Sequence, residues 1–229
     1  MNTIAIITAR GGSKRIPKKN IKDFCGKPII AYSIEAALKS DLFDEVMVST
    51  DDNEIAEIAR GYGAIVPFMR SDKNSDDCSG TCDVLLEVIS EYKKRGREFD
   101  TICCIYPTAP FVTPSRLTEA INKYNTECAD ALIPVVRFSY PPQRCFVAND
   151  RVLKYKWPEN EKKRSQDLEP LYHDAGQFYF IKTEILLSQK TLVPAKTVPF
   201  EVDELEAQDI DNITDWKLAE LKYKLMCGI

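Results

Sequence analysis

A short apolar run, Ile4 to Thr8, gives way to Ala9-Arg10-Gly11-Gly12 and then to a loop crowded with cations. A run this short bounded by glycines reads as a buried strand, since a buried helix needs ten residues or so. In an open α/β sheet, the loop at the carboxyl end of such a strand is where ligands sit. Between Ala9 and Lys22 there are six basic residues (Arg10, Lys14, Arg15, Lys18, Lys19, Lys22) and no acid. The loop therefore suits an anion. Gly11 and Gly12 lack Cβ atoms, so backbone N–H groups can approach a ligand while the cations neutralise phosphate charge. It is neither a Walker A loop, which needs Gly-Lys-Ser/Thr after a second glycine, nor a Gly-x-Gly-x-x-Gly fingerprint. On these residues alone it is a phosphate loop, a solvated turn or a nucleic-acid patch.

The charge total argues against nucleic acid. Thirty-one Lys and Arg against thirty-five Asp and Glu leave a net charge of -4, whereas a general nucleic-acid binder shows its basic surface in the sum. A chain of 229 residues, 44% hydrophobic, can bury a sizeable core as one domain with an elaboration. The eight cysteines (25, 78, 82, 103, 104, 128, 145, 227) form no Cys-x-x-Cys pair, and Cys103-Cys104 fall in an apolar strand. They are expected to be reduced core or near-core thiols in a reducing cytoplasm. No apolar run approaches the roughly 18 residues of a membrane helix, and residues 4–9 are too few for the apolar core of a signal peptide. No membrane partner is expected.

Downstream, strands and helices alternate. Residues 28–39 repeat apolar side chains at helical spacing, with Pro28 suited to the first helical position. Residues 45–50 form a strand, and Asp51 with Glu54 offers a cap for a helix through Arg60. A strand at 64–68, a polar loop to Gly80, a helix opened by Thr81, and a strand at 101–106 follow. Thr113 and Pro114 begin another helix. Such units imply a parallel sheet with helices on both faces and right-handed crossovers, with the loops after strands one to four on one edge. A strand at 131–137 precedes an aperiodic stretch, 138–172, read as an insertion with a hairpin at 144–156. Strands at 177–182 and 197–202 and a closing helix at 214–226, with Leu218, Leu221 and Leu225 aligned, complete the chain.

Asp209 and Asp211, in Gln-Asp-Ile-Asp-Asn, put both carboxylates on one side of an extended segment. Magnesium takes one or two carboxylates when phosphates supply the remaining oxygens; acids turning into and capping the last helix would have the same spacing. Arg70, Arg144 and Arg164 are single cations in polar loops, a pattern commoner at surfaces than at ligands. His173, the sole histidine, is by itself more often structural than catalytic. No Ser-His-Asp or Cys-His set is evident.

In order along the chain, Ala9-Arg10-Gly11-Gly12-Ser13-Lys14 with Lys19-Asn20, Val48-Ser49-Thr50-Asp51, Arg70 with Ser75-Asp76, Pro107-Thr108-Ala109-Pro110 and Asp209-Ile210-Asp211 resemble the successive motifs of the CMP-sialic acid synthetase family. The resemblance covers nearly the whole chain. It implies a three-layer, nucleotide-diphospho-sugar transferase-like (Rossmann-like) α/β fold with a mostly parallel central sheet. It also implies a single cytidylyltransferase domain, 1–229, with 138–172 as an inserted dimerisation arm. The implied reaction joins CTP to a nine-carbon 2-keto sugar acid (a nonulosonic acid) and releases pyrophosphate, by in-line attack of the anomeric hydroxyl on the α-phosphorus.

By the same resemblance, Arg10, Ser13, Lys14 and Lys19 would hold the triphosphate and Asn20, Arg70, Ser79 and Thr81 the cytidine, with Ala9, Gly11 and Gly12 also in the nucleotide-binding loop. Asp209 and Asp211 carry Mg2+, and Arg10, Lys14, Lys19 and the two aspartates form the catalytic set. Tyr106, Arg144, Arg164, His173 and Gln177 lie by the sugar acid, and the arm makes a homodimer that closes the neighbouring site. Tyr106 stands where sialic acid enzymes commonly carry glutamine, and His173 where they commonly carry arginine. With segments 106–114, 136–141, 164–170 and 172–179, these turn the expected substrate from N-acetylneuraminic acid towards pseudaminic acid, with legionaminic acid as the alternative. Decoration of flagella or another cell surface is implied downstream. A sugar-nucleotide-dependent glycosyltransferase, whose Asp-x-Asp usually lies mid-chain, and a non-catalytic nucleotide-binding protein are the rival classes.

Overall fold

The computed structural model describes residues 2–75, 79–149 and 151–228. Asp76 and Cys78 lie outside the described residues. β1 (Thr3–Thr8) leads through a small hairpin, β2 (Asp23–Phe24) and β3 (Lys27–Pro28), to α1 (Ile29–Ser40). Then come β4 (Glu45–Ser49), α2 (Asn53–Gly61), α3 (Thr81–Lys94), β5 (Thr101–Ile105), α4 (Pro114–Thr126) and β6 (Ala131–Arg137). A second hairpin, β7 (Phe146–Asn149) and β8 (Val152–Tyr155), precedes β9 (Tyr172–Asp174), β10 (Phe178–Lys182), α5 (Thr183–Gln189), β11 (Thr197–Glu201) and α6 (Ile213–Cys227).

The central sheet has the order β11-β6-β10-β5-β1-β4, with β9 also paired to β6. β1 runs parallel to β4 and β5, and β11 parallel to β6, while β10 and β9 are antiparallel to their neighbours. The sheet is thus mostly parallel, and β1, β4 and β5 release their carboxyl ends on the same edge. Alternate residues of β1 enter different layers. Ala5 and Ile7 pack with Ile30 and Ile34 of α1 and Leu117 of α4; Ile4 and Ile6 pack with Leu85 and Val88 of α3 and Leu186 of α5. Each fully buried isoleucine of β1 contributes about 1.5–3 kcal/mol relative to exposure, so this strand is a firm support for the loop that follows it. Among the described residues no helix is long and apolar enough to cross a membrane.

Several expectations need correction. Residues 64–68 are not a strand: a single parallel bridge joins Ile65 to Met47. Pro67, without an N–H, cannot extend that ladder. The cap of α2 is Asp52, which accepts from the N–H groups of Glu54 (2.8 Å) and Ile55 (3.2 Å). Asp51 instead accepts from the Gly11 N–H at 2.9 Å. Pro28 precedes α1 with an extended ψ of 135° rather than beginning it. Leu218, Leu221 and Leu225 are aligned but exposed. The core-facing side of α6 carries Trp216 and Ala219, packed with Phe24 and Tyr32, and Trp216 meets Phe24 edge-on at 5.5 Å. The seven described cysteines are free thiols, with Cys103 and Cys104 buried, but Cys128 and Cys227 are exposed rather than near the core.

Candidate active site

The loops after β1 and β5 and the start of α3 enclose a cavity of about 440 Å³. Arg10, Ser13, Lys14, Arg15, Lys19 and Asn20 come to it from the β1 loop, Arg70 from the segment beyond α2, Ser79 and Thr81 from the start of α3, and Tyr106 with Thr108 from the end of β5. Asp211 closes it from the far end of the chain.

The β1 loop is held by backbone contacts. Buried Ala9 lies in the core beneath the loop and donates its N–H to the Ser49 carbonyl at 2.9 Å. A Cβ on Gly11 would stand 2.8 Å from Asp52 Oδ2 and 2.9 Å from its Cβ. Only glycine lets the loop lie that close to the start of α2. A Cβ on Gly12 would meet nothing within 4 Å, so packing leaves that position open. Lys18 takes a left-handed φ of 52° and starts a single 3-10 turn, Lys19–Ile21. The turn buries Asn20, whose Nδ2 donates to the Arg10 carbonyl at 2.8 Å. It also carries Lys19 Nζ to the Ile210 carbonyl at 2.7 Å. Burial lowers the pKa of Lys19, while the charges of Asp211 and Asp209 raise it.

Across the cavity, the buried Arg70 guanidinium donates through Nε to Ser49 Oγ (3.1 Å) and through Nη2 to the Ser49 carbonyl (2.6 Å). Burial lowers its pKa, and Asp51 and Glu87 oppose the shift. The hydroxyls of Thr81 and Tyr106 are 3.2 Å apart. Burial raises the Tyr106 pKa, leaving a neutral hydroxyl. Its ring leans on Tyr179 at 5.3 Å, and Tyr179 donates to Asp174 Oδ2 at 2.8 Å.

The capping reading of the two late aspartates is superseded. Asn212 caps α6 through Oδ1, which accepts from Thr214 and Asp215 N–H groups at 2.8 and 3.1 Å. Asp215 in turn accepts from the Asp211 N–H at 3.0 Å. The Asp211 carboxylate meets Arg15 Nη2 at 2.7 Å. Asp209 lines a neighbouring depression with His173, Asp174 and Lys222. Its carboxyl is pushed above the usual carboxylate range by partial burial and by Asp211, with Lys19 opposing.

A match to the cytidylyltransferase family spans residues 4–222. The chain belongs to that family. It is 42% identical over 226 residues to the pseudaminic acid cytidylyltransferase of Campylobacter jejuni subsp. jejuni serotype O:2, covering 98% of this chain and 97% of the relative. Identity to the CMP-N,N'-diacetyllegionaminic acid synthase of Legionella pneumophila is 31% over 232 residues, covering 98% and 97%. A solved CMP:2-keto-3-deoxy-manno-octonic acid synthetase in complex with CTP superposes with a TM-score of 0.71 at 19% identity over 100% of each chain. That likeness shows a common fold, in agreement with the α/β architecture expected from the ordered motifs.

This cytidylyltransferase does not bring every expected residue to the cavity. Arg164 is exposed and paired with Asp167 at 2.8 and 3.0 Å. Arg144 keeps a buried Nε without a hydrogen-bond partner among the described residues. His173 sets Nδ1 2.9 Å from the Asp174 carbonyl and packs on Phe138 at 4.9 Å. Gln177 is buried, with its amide on the Glu206 carbonyl. Conversely, Arg15 enters as a lining residue to which the sequence had assigned no role; its only signal was membership of the cation run.

Proposed function

We propose that this cytidylyltransferase transfers the CMP group of CTP to pseudaminic acid, a nine-carbon 2-keto sugar acid, and releases pyrophosphate. The observation that carries the reading is the shared cavity, which Arg10, Lys14, Lys19 and Arg70 line together with Asp211. The choice of sugar is supported by the 42% identity to the C. jejuni relative over nearly all of both chains.

In this reading Arg10, Ser13, Lys14 and Lys19 bind the triphosphate, and Asn20, Arg70, Ser79 and Thr81 take the cytidine. The anomeric oxygen forms a bond to the α-phosphorus as the bond to pyrophosphate breaks. The protein's share of the catalysis is to align the two and to absorb the charge of the departing group. Lys19, its ammonium held beforehand by the Ile210 carbonyl, and Arg10, its backbone held by the Asn20 amide, do this with little reorganisation during the reaction. Asp211 and Asp209 fit a divalent cation such as Mg2+. They are hard oxygen donors, close enough that the Asp211 charge adds to burial in raising the Asp209 pKa, and phosphates can complete the shell. When bound, such an ion supplies positive charge at the phosphate oxygens. The sugar acid sits between Tyr106 and the depression of His173 and Asp209.

Residues 138–172 form an arm that pairs two subunits and carries Arg144 and Arg164 towards the neighbouring site. Support comes from apolar side chains left in solvent, Tyr140 (87% exposed), Phe146 and Leu153 among them, because contiguous exposed apolar surface marks an interface. The free cysteines support a reducing compartment, the cytoplasm. Purified protein with Mg2+ and CTP is expected to release pyrophosphate when pseudaminic acid is added, more slowly with legionaminic or N-acetylneuraminic acid. Absence of release with all three sugars would refute the assignment.

A further inference from the structure

Arg15 and Asp211 both line the cavity, and their ion pair, 2.7 Å from Nη2 to Oδ1, bridges the two segments that bound it. Those segments do not need the pair to stay together. Ile16 and Ile210 are both buried in the same apolar cluster, and Lys19 Nζ already holds the Ile210 carbonyl at 2.7 Å. The Arg15 side chain is 67% exposed, so the pair is weak and easily exchanged. A guanidinium is also well matched to phosphate, which offers it two oxygens at once.

We propose that Arg15 is a positioning residue: it occupies the Asp211 carboxylate while the cavity is empty and moves to the triphosphate when CTP enters. Until then, the guanidinium takes a carboxylate oxygen that a divalent cation needs and adds a like charge beside it. Metal alone is therefore disfavoured, and metal and nucleotide assemble together. The idea rests on reading Asp211 as a metal carboxylate.

The test uses nucleotide-free, full-length protein and Mn2+ alone as probe, with free Mn2+ followed by electron paramagnetic resonance. Arg15→Gln is expected to bind Mn2+ about three- to tenfold more tightly than wild type. Arg15→Lys, which keeps the charge, is expected to stay within about twofold of wild type. CTP affinity of Arg15→Gln in the presence of metal should fall. Mn2+ affinity of Arg15→Gln that is unchanged, weaker or unmeasurable overturns the proposal. Asp211→Asn separates the two ideas. If it leaves Mn2+ binding intact, the metal reading fails and the role of Arg15 with it. If it abolishes binding while Arg15→Gln matches wild type, only the role of Arg15 fails.

Discussion

The cavity end of the sheet and the arm at residues 138–172 both carry residues expected at the reaction, and they are built in opposite ways. Around the cavity, Arg10 and Lys19 stand on buried groups. Ala9 lies in the core beneath Arg10, the Asn20 amide holds the Arg10 carbonyl, and Lys19 reaches the Ile210 carbonyl. In the arm, β7 and β8 pair only with each other among the described strands, and Phe146, Val147, Val152 and Leu153 face solvent. An isolated two-stranded hairpin is marginal in water. Part of the proposed site is thus preorganised within one chain, while the arm, on the proposal that it pairs two subunits, would find its full support on meeting a second copy.

The largest effect expected from that contrast lies on the preorganised side. Lys14→Ala or Asp211→Asn should lower kcat/KM for pyrophosphate release by about 10²–10³, in line with roughly 2.7–4 kcal/mol for one preorganised electrostatic contact. Steady-state kinetics measures the loss, and an unchanged circular dichroism spectrum and Tm would show that the fold is intact. A loss below tenfold would mean that the cavity is not where charge develops.

A change in the arm should act differently. If the arm pairs two subunits as proposed, Phe146→Asp with Leu153→Asp is expected to turn dimer into monomer by sedimentation velocity and to lower turnover by about tenfold or more, since the neighbouring site would lose its closing element. CTP affinity, set by the cavity alone, should stay within about threefold. A monomer that no longer binds CTP would break the comparison, because the cavity would then depend on the partner as well.

The contrast also marks how far the sequence could be read. The β1 loop was legible because its signal is local: an apolar run, two glycines and six cations in succession. Thr113 and Pro114 were legible as a helix start for the same reason, and Thr113 Oγ1 does accept from the Arg116 N–H. What escaped depends on residues far apart in the chain. Asp51 was read as a cap because nothing nearby reveals that the Gly11 N–H claims it. Leu218, Leu221 and Leu225 are aligned as expected, yet Trp216 and Ala219, not they, pack against the β2–β3 hairpin. Asp211 lines the cavity and Asp209 the neighbouring depression, a division that their spacing in the chain does not reveal. In the arm, periodicity had little to report, since its apolar residues have no core within this chain to match.

The smallest expected effect concerns what keeps the cavity end rigid. Glu35 on α1 pairs with Lys27 at 2.9 Å and with Lys39 at 2.6 Å, beside the rings that hold α6 and therefore Asp211. Hydrogen bonds from these two lysines lower the Glu35 pKa against the opposing effect of burial. A carboxyl with a depressed folded pKa contributes stability that is present above its unfolded value, near 4.3, and is lost as the pH falls through the folded value. Lys39 is largely solvated and Lys27 and Glu35 only partly buried, so the contribution is at most about 1 kcal/mol. Glu35→Gln should therefore lower the Tm by about 2–4 °C or less at pH 7, with the difference from wild type shrinking as the pH falls below about 4. Kinetics at pH 7 should stay within about twofold of wild type. If apolar packing of Phe24, Tyr32, Trp216 and Tyr223 sets the position of Asp211, losing the ion pairs barely moves it; a large fall in turnover would instead make surface charge part of the scaffold and erase the distinction between the two ends.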